Sequence, residues 1–236
     1  MMETATIVAI VIFVAAYALI ISEKVHRTIV GLFGAMLMIL FGILDQETAV
    51  HHIDFNTLGL LMGMMIIVNI TSETGLFNFL AIWAAQKVRA RPIALLVVLS
   101  SITMVCSALL DNVTTVLLTV PITFSITSQL KVDVMPYLIS QILASNIGGT
   151  ATLIGDPPNI MIGSAVKELT FVMFIEHLAP IAIICMTVVL FIMSAIYRKS
   201  LVTTPELQAE LMQMDEKAAI TDHALLKRAL FVLGLT

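Results

Sequence analysis

The sequence predicts an all-α polytopic membrane protein, and three observations support this class. Hydrophobic residues make up 59% of the 236 residues and charged residues only 12%, whereas soluble domains are about half apolar and about a quarter charged. The mean hydropathy is +1.05. Uncharged apolar runs recur along the chain, most of them near the roughly 20 residues that a helix needs to cross a bilayer. The lipid bilayer is therefore the expected partner, and the absence of a basic patch excludes nucleic acid as one.

The apolar runs predict the helices in chain order. They cover residues 4–22, 28–44, 55–72, 92–110, 112–130, 134–155 and 178–197. The first run has neither a basic start nor a small-residue cleavage site, which predicts a retained helix rather than a signal peptide. A last run begins near Ala229 and is too short to cross. We therefore expect the chain to be one part of a longer protein, or one half of a split one.

The basic residues predict a single orientation. With the amino terminus outside, eleven of the twelve Lys and Arg residues fall on the inner side, and only Lys167 falls outside. This bias is typical of an inner-membrane protein with one topology and argues against a dual-topology protein. It does not decide the path of residues 92–130. Two full crossings and a re-entrant hairpin both return the chain to the inner side, so the basic residues that follow lie inside in either case.

Three further segments are expected to lie outside the bilayer core. Residues 75–88 carry Trp83 and run into basic residues, which favours an amphipathic helix at the inner interface. Residues 170–177 are expected to be its counterpart on the outer side. Residues 200–224 are polar and acidic and predict a cytoplasmic linker between two halves.

The stretch SNIGGTATLIGDPPNIMIG, residues 145–163, predicts a broken membrane helix. A helix that starts at Pro136 rises about 16 Å over about eleven residues and so reaches the bilayer midplane near residue 146. The glycine pair 148–149 favours unwinding there, and the proline pair 157–158 stops helical bonding from the other side. Secondary transporters build ion or substrate sites at such breaks.

The oxygen-bearing and glycine residues of this break are the candidate ligands. They are Ser145, Asn146, Gly148, Gly149, Thr150, Thr152, Asp156 and Asn159. The alternative is a proline-kinked structural helix with Asp156 in a short outer loop.

A second candidate lies in DNVTT, residues 111–115, between two apolar arms. Asp111 would be costly as a lone charge in the membrane, so it needs a partner or a cation. Its neighbours Asn112, Thr114 and Thr115 supply the oxygen ligands that hard cations prefer. The alternative is a plain extracellular turn between two full spans. No HExxH or GxSxG motif occurs, so neither an enzyme nor a resident cofactor is expected.

Three motifs together resemble the ion transporter superfamily. They are SALLDNVTTVLLTVPI (107–122), SNIGGTATLIGDPPNIMI (145–162) and MMIIVNITSETGLF (64–77). This superfamily includes arsenite permeases, NhaD-type antiporters and citrate or dicarboxylate carriers, and the likeness is greatest to its P-protein-like branch. The resemblance covers nearly the whole chain, but only the amino-terminal half of a full family member.

The resemblance implies one half of an inverted-repeat transporter that works as a homodimer. It assigns residues 92–130 to a re-entrant hairpin and 134–166 to a discontinuous helix with its unwound centre at 148–159. The two would meet at a cation site, with Na⁺ expected at Asp111, Asn112 and Gly149. The implied regions are a scaffold with an interfacial helix (1–91), a transport region (92–166), an interfacial and a last scaffold helix (167–199), the linker (200–224) and the start of the second half (225–236).

The carboxylate carriers of the superfamily have a Ser-Asn-Thr tip, whereas this chain has Asp111 in the place of the serine. Asp156 also stands where a neutral residue is common. These differences favour cation-coupled alternating access, either as Na⁺/H⁺ exchange or with an inorganic anion of the arsenite type as cargo. The alternatives are a citrate or dicarboxylate carrier, and a channel or non-transporting membrane subunit.

Overall fold

Helices account for nearly all regular structure in the protein. The computed structural model describes residues 2–166, 168–213 and 217–235, and within these ranges there is no strand. The helices are α1 (Met2–Ile21), α2 (Arg27–Leu40), α3 (Gln46–His51), α4 (Phe55–Glu73), α5 (Leu76–Lys87), α6 (Pro92–Leu109), α7 (Asn112–Leu130), α8 (Met135–Thr150), α9 (Pro157–Ala165), α10 (Phe171–Tyr197), α11 (Pro205–Met212) and α12 (His223–Leu233).

Five of the helices in the described ranges are long and apolar enough to cross a membrane. They contain the spans Thr4–Ile21, Phe55–Glu73, Pro92–Leu109, Asn112–Leu130 and Phe171–Tyr197, and the shorter apolar helix Arg27–Leu40 lies among them. The prediction of an all-α polytopic membrane protein is confirmed. At 18 and 19 residues, α6 and α7 are each about as long as the roughly 30 Å hydrocarbon core is thick.

The chain divides into two compact units, Met1–Phe55 and Asn56–Thr236. In the first unit α1 packs against α2, and Gly34 of α2 lies against Ala16 of α1. Side chains such as Phe13 and Phe33 are more than half exposed, as is usual for a surface that faces lipid. The loop expected between the second and third apolar runs contains the short helix α3, which Asp45 caps.

The core of the second unit lies where one end of α6, α7, α8 and α10 meets α5 and α11. Its buried side chains are Ala81, Ala85, Ala90, Leu95, Leu96, Leu99, Ile126, Leu130, Tyr137, Met193, Leu201 and Leu211. Tyr137 is fully buried there and donates its hydroxyl to the carbonyl of Pro92 over 2.9 Å. This core fixes the ends of the helices whose other ends form the candidate site.

The tightest packing in the second unit joins α6 to α8. Small residues allow the close approach: the hydroxyls of Ser100 and Ser140 are 2.7 Å apart, and Gly148 lies directly on the backbone carbonyl of Met104. The expectation that the pair 148–149 unwinds the helix is wrong, because α8 continues through Gly148 and Gly149 to Thr150. Glycine is needed here for proximity, since a Cβ at Gly148 would overlap the α6 backbone.

Two other predicted boundaries also change. Residues 171–177, expected as a separate interfacial helix, are the first turns of the 27-residue helix α10, which contains Pro180. The last helix was expected to begin near Ala229, but α12 begins at His223, where the Asp222 carboxylate caps it.

The described part of the expected linker, residues 200–213 and 217–224, contacts the helix bundle. Leu201 and Leu211 are buried in the core, and Thr203 donates its hydroxyl to the carbonyl of Leu130 over 2.6 Å. The segment that the polar and acidic composition marks as a linker is therefore attached to the core by a few apolar side chains.

Candidate functional site

The turn between α6 and α7 is shorter than the five-residue polar tip suggested. Only Leu110 and Asp111 are non-helical, because Asp111 is the N-cap of α7. One carboxylate oxygen accepts the backbone N–H of Thr114 at 2.8 Å, and the other accepts the Thr114 hydroxyl in a very short hydrogen bond. Asp111 is only 7% exposed. The turn therefore holds a buried carboxylate in a fixed orientation.

The break between α8 and α9 covers residues 151–156, so the expected unwound centre at 148–159 is wrong at both ends. Pro157 and Pro158 occupy the first turn of α9, where a proline forfeits no helical hydrogen bond. The side-chain amide of Asn159 donates to the carbonyl of Gly149 (3.2 Å), in the last turn of α8, and to that of Thr152 (2.9 Å), in the break. Asn159 therefore ties the two helix ends together.

The break is also attached to the end of α6. The Thr152 hydroxyl donates to the carbonyl of Ala108 and accepts the N–H of Gly155 at 3.1 Å. Gly149 and Gly155 lie in backbone contact, and a Cβ on either would come within 2.7 or 2.6 Å of the carbonyl oxygen of the other. The break is therefore a compact, hydrogen-bonded element next to the Asp111 turn.

The two carboxylates of the candidate site are near each other. Asn112, next to Asp111, lies against Gly149, and Gly149 is in backbone contact with Gly155, next to Asp156. Asp156 is half-buried and makes no capping hydrogen bond to α9. Among the described residues neither carboxylate forms an ion pair. Lys131, the only basic residue between positions 92 and 166, caps the opposite end of the 19-residue helix α7, about 28 Å along its axis from Asp111. Two like charges without a basic partner favour binding of a cation or a proton between them.

The remaining predicted residues divide into those that join the site and those that do not. The Asn112 side chain lies 3.6 Å from the Cβ position of Gly149 and donates to the Asn146 side chain at 3.3 Å. Thr115 is buried and donates its hydroxyl to the Asp111 carbonyl at 2.9 Å.

Ser145, Thr150 and Gly148 act locally. The carbonyl of Ser145 accepts the hydroxyl of Ser107 at 2.7 Å, which adds to the α6–α8 packing. Thr150 is exposed and bonds back to Ile147, so the structure does not bring it into the site. Gly148 faces α6.

A buried column of hydroxyls on α7 was missed in the sequence. Its members, four residues apart, are Thr115, Thr119, Thr123 and Thr127. Thr123 also accepts the side-chain amide N–H of Gln141 of α8 at 2.9 Å. The spacing of four was visible in the sequence, and it predicts one face of a helix. The column connects the base of the bundle to the Asp111 turn.

Comparison with known proteins agrees with this architecture. A family model described as citrate transporter matches residues 17–236. The chain belongs to the citrate transporter family. Membership confirms the predicted resemblance to the ion transporter superfamily.

Curated relatives of this citrate transporter family member include transporters from mycobacteria. A 46 kDa membrane protein of Mycobacterium leprae is 39% identical over 234 residues, which are 98% of this chain and 54% of the relative. A protein of Mycobacterium tuberculosis named an uncharacterized transporter has the same identity and coverage. The human P protein is 46% identical over 167 residues, 69% of this chain and 20% of the relative. The chain thus spans about half the length of the mycobacterial relatives, at 54%.

Proposed function

We propose that this chain is the amino-terminal half of a secondary active transporter that couples transport to a cation by alternating access. The observation that carries the proposal is the buried Asp111, which is held by Thr114 and lies beside the break that ends at Asp156, with no basic partner among the described residues. A carboxylate withdrawn from water can exchange a proton for a cation, because desolvation favours the protonated form and a bound cation favours the ionised one.

The oxygen donors around Asp111 suit Na⁺. We propose that Na⁺ binds at Asp111, Asn112 and Gly149, which come from the turn and from the end of α8 next to the break. Carboxylate, amide and carbonyl oxygens are the ligands that hard cations select. The side-chain contact between Asn112 and Gly149 supports this grouping.

For the cargo we propose Na⁺/H⁺ exchange first, or an inorganic anion of the arsenite type moved with the coupling ion. Two carboxylates with no basic side chain beside them in the described ranges would repel a free carboxylate substrate. Citrate is the second candidate, and the description of the matching family as citrate transporter favours it.

The rest of the protein completes this site in our proposal. We propose that residues 92–130 form a re-entrant hairpin, that a second, inverted half supplies the other part of the pathway, and that two copies form a dimer. We also propose that the amino terminus lies outside an inner membrane, because eleven of the twelve basic residues then lie inside.

The test is gradient-driven flux in proteoliposomes that contain the full-length protein and a trapped pH indicator. We expect an imposed Na⁺ gradient to drive saturable proton movement in the opposite direction. Parallel assays with radiolabelled citrate and with arsenite decide the cargo. Uncoupled, non-saturating ion conductance would contradict the carrier mechanism, and citrate uptake that ignores both Na⁺ and pH would contradict the cation site.

A further inference from the structure

The TSETG motif forms a corner whose function the proposed ion site does not explain. The corner consists of residues 73–75, between α4 and α5. Gly75 has φ +80°, a left-handed conformation that favours glycine. The linker lies directly on this corner: the carbonyl of Ala219 occupies the space that a Cβ on Gly75 would need.

Two hydrogen bonds attach the linker to the same corner. The N–H of Thr221 donates to the carbonyl of Thr74 at 3.0 Å. The hydroxyl of Thr221 donates to the carbonyl of Glu73 at 2.8 Å. Both carbonyls are at the C-terminal end of α4, where helical partners run out. The linker therefore supplies the missing donors of this helix end.

This attachment is small and accessible. Thr221 is exposed, and Ala219 and Ile220 are only partly buried. A contact with two neutral hydrogen bonds and little buried apolar surface opens more easily than a packed core. Residues 219–221 on the corner 73–75 are called the latch below.

The latch is connected to the ion site through α5. Phe77, two residues after Gly75, packs with Val68 of α4 and with Leu110 in a buried cluster. Leu110 directly precedes Asp111. The linker therefore contacts Gly75, Phe77 near Gly75 contacts Leu110, and Leu110 is bonded directly to Asp111.

We propose that the latch opens and closes, and that its closure, through Phe77 and Leu110, holds the Asp111 turn in place. The inference rests on the proposed function in that it assigns a regulator to the same site. The linker that leads to the rest of the protein then adjusts how firmly that site is organised. Opening of the latch frees the corner and loosens the turn.

The experiment uses the full-length protein with Cys106 and Cys185 replaced by alanine, and with one probe at a time. A cysteine introduced by Ala219→Cys reports latch opening through its maleimide labelling rate. A spin label introduced by Val113→Cys reports motion of the turn, since Val113 is 59% exposed. Neither probe measures transport, so failure of the proposed function leaves both results valid.

Gly75→Ala is the opening variant, and Gly59→Ala is its matched control. Gly59 lies on α4, the helix that ends at the corner, and a Cβ at Gly59 meets nothing within 4 Å. We expect Gly75→Ala to raise the labelling rate at position 219 about tenfold, since the clash and both hydrogen bonds are involved. It should also shift the position-113 spectrum to the mobile component. Gly59→Ala should change neither.

Two milder variants at Thr221 test the same contact in case Gly75→Ala does not fold. Thr221→Val removes only the hydroxyl bond and should raise labelling about two- to tenfold, whereas Thr221→Ser should restore the parent rate. Labelling at the parent rate in both Gly75→Ala and Thr221→Val would overturn the latch. Faster labelling with an unchanged position-113 spectrum would overturn its control of the Asp111 turn.

Discussion

Asp45 and Asp111 make the same helix cap in two different surroundings. Each is followed three residues later by a threonine, and in each case one carboxylate oxygen accepts the threonine N–H while the other accepts its hydroxyl. Asp45 is exposed, whereas Asp111 is buried. The local motif is therefore shared, and burial beside the break separates the candidate ion ligand from a surface cap.

This pair allows capping and ion binding to be separated by experiment. Any effect that comes from capping should appear at both positions, because the hydrogen bonds are alike. An effect confined to Asp111 comes from its burial next to Asp156 and the break. The variants below use Asp45 and Thr48 as internal controls for Asp111 and Thr114.

The largest difference is expected from removal of the charge. Asp111→Asn keeps a good N-cap but should lower cation-coupled flux by at least about a hundredfold, because the bound cation loses its buried counter-charge, which costs about 3 kcal/mol or more. Asp45→Asn should leave flux unchanged. Both are measured in proteoliposomes at equal protein content. Normal flux with unchanged Na⁺ and pH dependence in Asp111→Asn would reduce Asp111 to a turn residue.

A smaller difference is expected from removal of the threonine hydroxyls. Thr114→Val retains shape but takes away one of the two donors to Asp111. Flux at limiting Na⁺ should fall about tenfold, the effect of one hydrogen bond to a charged group. Thr48→Val should transport as the parent does. Equal flux in Thr114→Val and the parent would show that the hydroxyl does not orient the ligand.

The smallest effect is a shift in the titration of the exposed cap. The backbone N–H of Thr48, followed by its hydroxyl, holds the pKa of Asp45 below the ordinary value of 3.8. Because the pKa of Asp45 is lower in the folded state, the ionised cap stabilises α3 fully at any pH above the ordinary pKa of 3.8. This stabilisation is lost as the pH falls through the folded-state pKa. Thr48→Val should move the pKa back towards 3.8, as followed by the ¹³C shift of the Asp45 carboxyl. Thr114→Val should leave it in place.

The sequence was sufficient for features that depend on neighbouring residues. The apolar runs predicted the membrane-spanning helices, because each such helix must by itself be about 20 residues long and apolar. Proline at 157–158 located the start of α9, since that residue type restricts the local backbone. Asp111 was recognised because a carboxylate between two apolar arms is unusual in itself.

Features that depend on distant residues were not predictable in the same way. A glycine pair in a helix is compatible either with unwinding or with close packing against another segment. Only the contacts of Gly148 with Met104 and of Gly149 with Gly155 show that close packing is the reason here. Thr152 bonds a carbonyl 44 residues earlier in the chain. A single sequence carries no record of such pairs, so the attachment of the break to α6 required the structure.

The attachment of the linker was not predictable for a related reason. The average composition of the linker is polar, and an average conceals the two side chains, Leu201 and Leu211, that enter the core. The corner at Gly75 offered a visible sign, because a glycine between two helices often marks a close approach. Its partner, Ala219, has no distinguishing feature in the sequence.

The threonine column on α7 has a consequence for biogenesis. Each hydroxyl donates to the carbonyl four residues earlier in the same helix, so α7 can leave the translocon with these groups already satisfied. The side-chain amide N–H of Gln141 of α8 instead depends on Thr123 of α7 as its acceptor. Synthesis from the amino terminus presents α7 to the bilayer first, and a partner is therefore in place when the amide of Gln141 arrives.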